Sequence, residues 1–211
     1  MSKVRVGVLL SGSGTNLQAL LDACVAPDFP AAIEVVVSNR RSAFGLKRAE
    51  AAGIRTAWVP RNRFDTVEAW EDALVAALGE VRWVACAGFM RLLSPHFLGH
   101  FPDRVLNIHP ALLPAFPGVD GQGQAHSYGV RIAGCTVHLV DAGTDTGPII
   151  AQGAVPVLPG DDRDTLQQRI LAVEHQLYPR VLRWAAEDRL SVEGRTVHVA
   201  SDEPSWVWGG P

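Results

Sequence analysis

Asn107 and His109 are two residues of this 211-residue chain whose types and spacing could do electrostatic and acid–base chemistry together. They stand in Val105-Leu106-Asn107-Ile108-His109-Pro110, an apolar run that reads as a strand. Residues two apart on a strand share a face, so the amide and the imidazole project together while Ile108 packs behind. Pro110 ends the strand and leaves the pair at its carboxyl edge, where open α/β sheets bind ligands. An amide there can donate to an oxygen that gains negative charge, and an imidazolium can donate both a hydrogen bond and a proton. Asp145 lies in Asp141-Ala142-Gly143-Thr144-Asp145-Thr146-Gly147, a loop whose glycines could fold it over that edge. A carboxylate beside His109 would favour the charged ring and orient it. Taken singly, Asp145 and Asp141 read as solvated turn acids, and a lone Asn or His as a buried group satisfied by backbone. Together the three meet the needs of carbonyl-group transfer to an amine, which passes through a tetrahedral oxyanion. That chemistry requires no metal, and no His, Cys or Asp group shows ligand spacing.

The second candidate is Ser11-Gly12-Ser13-Gly14-Thr15-Asn16, between an apolar strand and a helical pattern. Unpaired backbone N–H groups and the helix dipole converge at such a junction and bind anions. Gly12 and Gly14 would let a phosphate approach the backbone, and Ser13, Thr15 and Asn16 add side-chain donors and a possible cap. A tight turn without a ligand is the plainer reading of the loop alone. Leu17 breaks the dinucleotide fingerprint, no acid follows the second strand to hold a ribose, and no Gly-Lys-Ser/Thr follows. Arg40 and Arg41 keep an NADP reductase as a formal alternative. A sugar phosphate fits best.

These residues need a scaffold, and the pattern supplies one. Strands are expected at Val4–Leu10, 33–37, 56–59, 81–87 and Val105–His109, with helices at 16–24, 43–52 and 66–78 between the first four. Such alternation implies a Rossmann-like, doubly wound α/β sheet that is mostly parallel. In the C-terminal half, strands at 134–140 and 149–157 follow without a helix between them, so antiparallel additions are expected. A helix at 165–187 capped by Asp164 comes next, then a hairpin at 191–193 and Thr196–Val199. The Trp-containing tail 205–211 is expected to pack on the body or fray. Residues 1–190 are read as one domain and 191–211 as a C-terminal hairpin and tail.

Composition narrows the function classes. Hydrophobic residues make up 47% and charged residues 19%, which excludes a disordered chain. A net charge of −3 argues against a surface that coats nucleic acid. Three widely spaced cysteines suggest neither a disulfide framework nor a metal pair. No apolar run approaches the roughly 18 residues of a membrane span, and the N-terminus lacks a signal peptide. The expectation is a soluble, cytoplasmic protein.

The chain resembles the phosphoribosylglycinamide formyltransferase family nearly end to end. The resemblance rests on Ser11-Gly12-Ser13-Gly14-Thr15-Asn16-Leu17-Gln18-Ala19, Ala43-Phe44-Gly45-Leu46 and Ala87-Gly88-Phe89-Met90-Arg91-Leu92-Leu93-Ser94-Pro95. It continues in Leu106-Asn107-Ile108-His109-Pro110, Leu112-Leu113-Pro114, Glu174-His175 and Tyr178-Pro179. It implies the formyltransferase fold and transfer of a formyl group from 10-formyltetrahydrofolate to phosphoribosylglycinamide. By the same resemblance Gly14, Thr15 and Asn16 bind the substrate phosphate, and Glu174 holds ribosyl hydroxyls. Met90, Arg91, Leu92 and Leu93 wall the folate site, with Asn107 and Val140 beside it. Asn107, His109 and Asp145 form the catalytic set. The partners implied are these small molecules, without metal, nucleic acid or membrane, on a monomer or homodimer.

The chain departs from the family where Val119-Asp120-Gly121-Gln122-Gly123-Gln124 replaces a histidine-bearing segment, and at Ala115 and Val67. His138 matches a family histidine and is read as structural, whereas His96, His100, His126, His175 and His198 are read as surface or packing residues. Three rivals remain. A formyltetrahydrofolate deformylase is expected to carry an N-terminal regulatory domain, and a methionyl-tRNA formyltransferase a basic C-terminal one. A non-catalytic sugar-phosphate module would not need Asn107, His109 and Asp145 together.

Overall fold

Val4–Leu10 forms β1, buried on both faces from Val6 to Leu10 because the strand lies in the middle of a sheet covered on both sides. The computed structural model describes residues 2–210, so Met1 and Pro211 lie outside it. Parallel to β1 run β2 (Ala31–Ser38) and β4 (Trp83–Cys86), flanked by β3 (Arg55–Trp58) and β5 (Val105–His109). The order β3-β2-β1-β4-β5 reverses its direction of growth between β1 and β4, which opens a crevice beyond their carboxyl ends. The crossovers carry α1 (Thr15–Val25), α2 (Phe44–Ala51), α3 (Val67–Leu78) and α4 (Pro95–His100).

Past β5 come α5 (Gly121–Tyr128), β6 (Ile132–Leu139) and β7 (Ile149–Pro156), with β6 antiparallel to both neighbours. No helix separates β6 from β7, and only antiparallel strands can be joined so directly. The long α6 (Arg163–Ala186) is followed by the hairpin β8 (Leu190–Glu193) and β9 (Thr196–Val199), and then by β10 (Trp206–Trp208). Both β9 and β10 extend the sheet by pairing with β7.

Side-chain alternation divides the core into two layers. Val6, Val8 and Leu10 face Leu17 and Leu20 of α1 and Leu177, Tyr178 and Val181 of α6. Leu9, Val35 and Val37 face Trp70, Leu74 and Leu78 of α3 and Phe97 of α4. Tyr178 fastens the first layer, its hydroxyl donating to Cys86 O at 2.9 Å and Leu106 O at 3.3 Å.

The mostly parallel sheet with antiparallel additions agrees with the sequence reading, but several local expectations need correction. Asp162, not Asp164, caps α6. Its extended backbone lets Oδ1 accept from Thr165 N at 2.7 Å, while Asp164 already lies in the first turn beside Arg163. The short α4 carries a readable start, Ser94 as cap and Pro95 in the first turn, yet the reading passed over it. Helix α5 has the sequence GQGQAHSY, whose glycines mask a helix that tertiary contact with α6 and β6 holds. The tail packs on the body as expected, Trp206–Trp208 pairing with β7 and Gly209 N donating to Ala154 O at 2.8 Å.

Candidate active site

The crevice beyond β1 and β4 holds a cavity of about 280 Å³ lined by Ser11 to Asn16, Arg40, Met90, Gln122, Gln167 and Glu174, among others. Helix α1 begins at Gly14 without any side-chain cap, so its first-turn N–H groups are left for an anion, and Arg40 adds positive charge. Gly14 has a second duty. Its φ is +72°, and a Cβ there would lie 2.6 Å from Gly45 Cα on α2. Its glycine is therefore set by helix packing as well as by any ligand, whereas a Cβ on Gly12 would meet nothing within 4 Å.

Asn16 does not cap α1, contrary to expectation. Its Nδ2 donates to Glu174 Oε2 at 2.6 Å and ties the loop to α6. Its Oδ1 is buried without a partner, as is Gln122 Oε1 in the same cavity. Glu174 is 3% exposed. Burial pushes its carboxyl up to about 7, against the opposing pull of the Asn16 hydrogen bond. Each orphaned acceptor costs on the order of 1–3 kcal/mol unless a ligand supplies a donor. Two such oxygens and a buried carboxyl suit a ligand rich in hydroxyl or N–H groups.

The catalytic candidates meet at the carboxyl edge of β5. Asp145, at φ +54°, comes from the β6–β7 loop, which Asp141 closes by accepting from Gly143 N at 3.1 Å and Thr146 Oγ1 at 2.7 Å. Asp141 is thus a loop-shaping acid and not merely a solvated one. Asp145 Oδ2 lies 3.3 Å from His109 Nδ1 and accepts from Gly118 N at 2.8 Å. Burial alone would raise the Asp145 carboxyl, but the Gly118 N–H that it accepts from and the nearby His109 ring outweigh it and hold it below the ordinary range. His109 Nε2 donates to Phe116 O at 2.8 Å. The ring thus has an oxygen acceptor near each of its nitrogens.

His138, read from sequence as structural, is part of this cluster. Antiparallel register sets it opposite Asn107, whose Nδ2 donates to His138 Nε2 at 3.1 Å. Its Nδ1 donates to Leu139 O at 2.8 Å, which leaves Nε2 as the acceptor and orients the Asn107 amide. The sequence signal was the pairing of the two strands, which the spacing along one strand does not reveal. Gly121 was also missed. A Cβ there would stand 3.0 Å from His109 Nε2 and 3.1 Å from Phe116 O, so the residue's smallness makes room for that bond.

His109 is 4% exposed, and it is Ile108 and Pro110 on either side of it that line the cavity. Phe116 O must release Nε2 before the ring can reach a bound molecule. Phe116 at φ +56° and Asp120 at φ +62° show where this segment stores backbone strain. Of the residues read as a folate wall, Met90 and Leu92 are exposed apolar side chains, at 57% and 66%, and Arg91 is exposed. Leu93 is buried against Phe97, so it can offer a ligand only backbone, and Val140 packs half-buried on the same cluster. Met90 N donates to Ser11 Oγ at 2.9 Å, which joins wall and loop. All three cysteines are free, and burial pushes the Cys86 thiol up to about 12, far from a reactive thiolate.

The chain is similar to known proteins along most of its length. A family model described as formyl transferase matches residues 4–182. The chain is 47% identical to phosphoribosylglycinamide formyltransferase of Mycobacterium tuberculosis over 91% of its own length and 89% of that protein's. It is 47% identical to the trifunctional purine biosynthetic protein adenosine-3 of Drosophila pseudoobscura pseudoobscura over 88% of its length, but spans only 14% of that protein. Among solved structures, glycinamide ribonucleotide transformylase 1 of Symbiobacterium toebii superimposes with a TM-score of 0.91 at 50% identity, covering 94% of this chain and 95% of that one.

Proposed function

Because this chain belongs to the formyl transferase family, we propose that it moves the formyl group of 10-formyltetrahydrofolate onto the amine of 5-phosphoribosylglycinamide, in purine biosynthesis. The products are formylglycinamide ribonucleotide and tetrahydrofolate. The observation that carries the reading is the meeting of Asn107, His109 and Asp145 at the end of β5, beside a cavity floored by an uncapped helix start.

The sugar phosphate places its anion on the N–H groups around Thr15 and Asn16, next to Gly14. Its ribose hydroxyls meet Glu174 and the orphaned oxygens of Asn16 and Gln122. The folate lies along Met90 to Leu93 and Val140, where exposed apolar surface suits a flat ring. It supplies the formyl group. Asn107, oriented by His138, donates to the formyl oxygen as charge develops there, and His109, with Asp145 against its other nitrogen, donates beside it. A proton then passes from the attacking amine to the departing nitrogen, with the His109–Asp145 pair as its relay.

The reaction needs no metal in this scheme, and we assign it to the cytoplasm. Among the described residues, no helix is long and apolar enough to cross a membrane. Assaying the purified chain with the formylated folate, with and without phosphoribosylglycinamide, tests the proposal. Deformylation that depends on the amine, with formylated product, is expected. Release of formate at the same rate without the amine would instead identify a hydrolase.

A further inference from the structure

Away from the cavity, three side chains able to hold a metal ion meet where α4 packs on α3. His96 and His100 are four residues apart on α4, so their rings share one face of the helix. The ring centroids are 5.4 Å apart and the planes cross at 82°. From α3, Asp72 brings a carboxylate oxygen to 2.7 Å from His96 Nε2. One ligand atom from each of the three lies within 4.8 Å of the other two. The sequence reading found no ligand spacing because the third donor is 24 residues from His96 in the chain.

Two imidazoles and one carboxylate are the donors of zinc sites that keep a fourth position open to water. Nitrogen donors favour ions of the zinc, cobalt, nickel and copper group over calcium or magnesium, which prefer oxygen alone. The local field has the right sign, since Glu68 and Glu71 add their negative charge to that of Asp72 at His96. All three residues are exposed, so an ion reaches them directly, and none of them lines the cavity of the active site.

We propose that Asp72, His96 and His100 bind one divalent transition-metal ion, zinc or a close relative, as a clamp between α3 and α4. The joint is already braced next door. Glu71, adjacent to Asp72, accepts from Ser94 N at 2.7 Å, and Ser94 caps α4 directly after Leu93. The ion would stiffen the segment that carries Met90 to Leu93 without entering the chemistry.

The test uses the full chain without a histidine tag, titrated with zinc chloride by calorimetry and melted with and without zinc. Binding of about one ion per chain and a raised melting temperature are expected. Asp72→Asn and His100→Ala should each weaken binding by about 10-fold or more, the scale for losing a group that shapes a metal site. The double variant His96→Ala/His100→Ala should lose the zinc-dependent melting shift while melting normally without zinc. Binding weaker than about 1 mM in the wild type overturns the site. So does a double variant that binds zinc as the wild type does.

Discussion

At the scale of single residues, neighbours decide how the groups of the site are oriented and, for Glu174, how the group is charged. Asn107 is oriented by His138, and His109 faces acceptors at both ring nitrogens. Asn107→Ala and His109→Ala should each lower kcat about 10²-fold, the effect of losing an oxyanion donor or a general acid. Steady-state kinetics at saturating substrates measures it, and wild-type turnover in either variant removes that residue from the mechanism. Glu174 makes a different prediction, about stability. Its carboxyl moves from 4.5, the ordinary value, to about 7 in the fold because burial disfavours its charge. Between those values the folded chain holds a proton that the unfolded chain has lost. Stability contributed by this group is therefore greatest below the ordinary value and falls as pH rises through the window. Denaturant unfolding of Glu174→Gln from pH 4 to 8 should show a flatter decline than the wild type. An identical slope would mean that Glu174 is already ionised in the free protein.

At the scale of elements, the start of α1 and its contact with α2 separate ligand binding from packing. Gly45 N donates to Gly12 O at 3.1 Å, and Gly14 Cα presses on Gly45. Gly14→Ala forces a Cβ into that contact at a left-handed φ, so it should destabilise the fold by about 1–3 kcal/mol, the range for overpacking. Gly12→Ala meets no protein atom within 4 Å and should leave the melting temperature unchanged. It should weaken sugar-phosphate binding in calorimetry if a phosphate rests against that backbone. Loss of stability at Gly12, or none at Gly14, would reverse the assignment of the two glycines. Helix α5 shows the limit of local pattern. Its Gln122 lines the cavity, but a segment with two glycines and little apolar periodicity reads as loop until α6 is in place.

At the scale of the whole molecule, one sheet passes from the Rossmann-like half into the antiparallel half without a break. Tryptophans report on both layers, Trp70 in one and Trp83 and Trp184 in the other. Fluorescence and far-UV circular dichroism should therefore trace the same denaturant transition. Two separate transitions would show that the halves fold as independent units.

The sequence by itself determined the doubly wound sheet, the glycine turn between β1 and α1 and the shared face of Asn107 and His109. Each follows from a short-range period: apolar runs for buried strands, glycines at a strand–helix junction, and a two-residue repeat on a strand. Tertiary structure alone decided what those groups touch. Strand register brought His138 to Asn107, a loop turned Asp145 onto His109, and α6 set Glu174 against Asn16. It likewise turned Gly14 toward Gly45 and gathered Asp72 with His96 and His100. Such contacts join residues far apart in the chain, where no local period exists to announce them, and they arise only once hydrophobic burial has stacked the helices on the sheet.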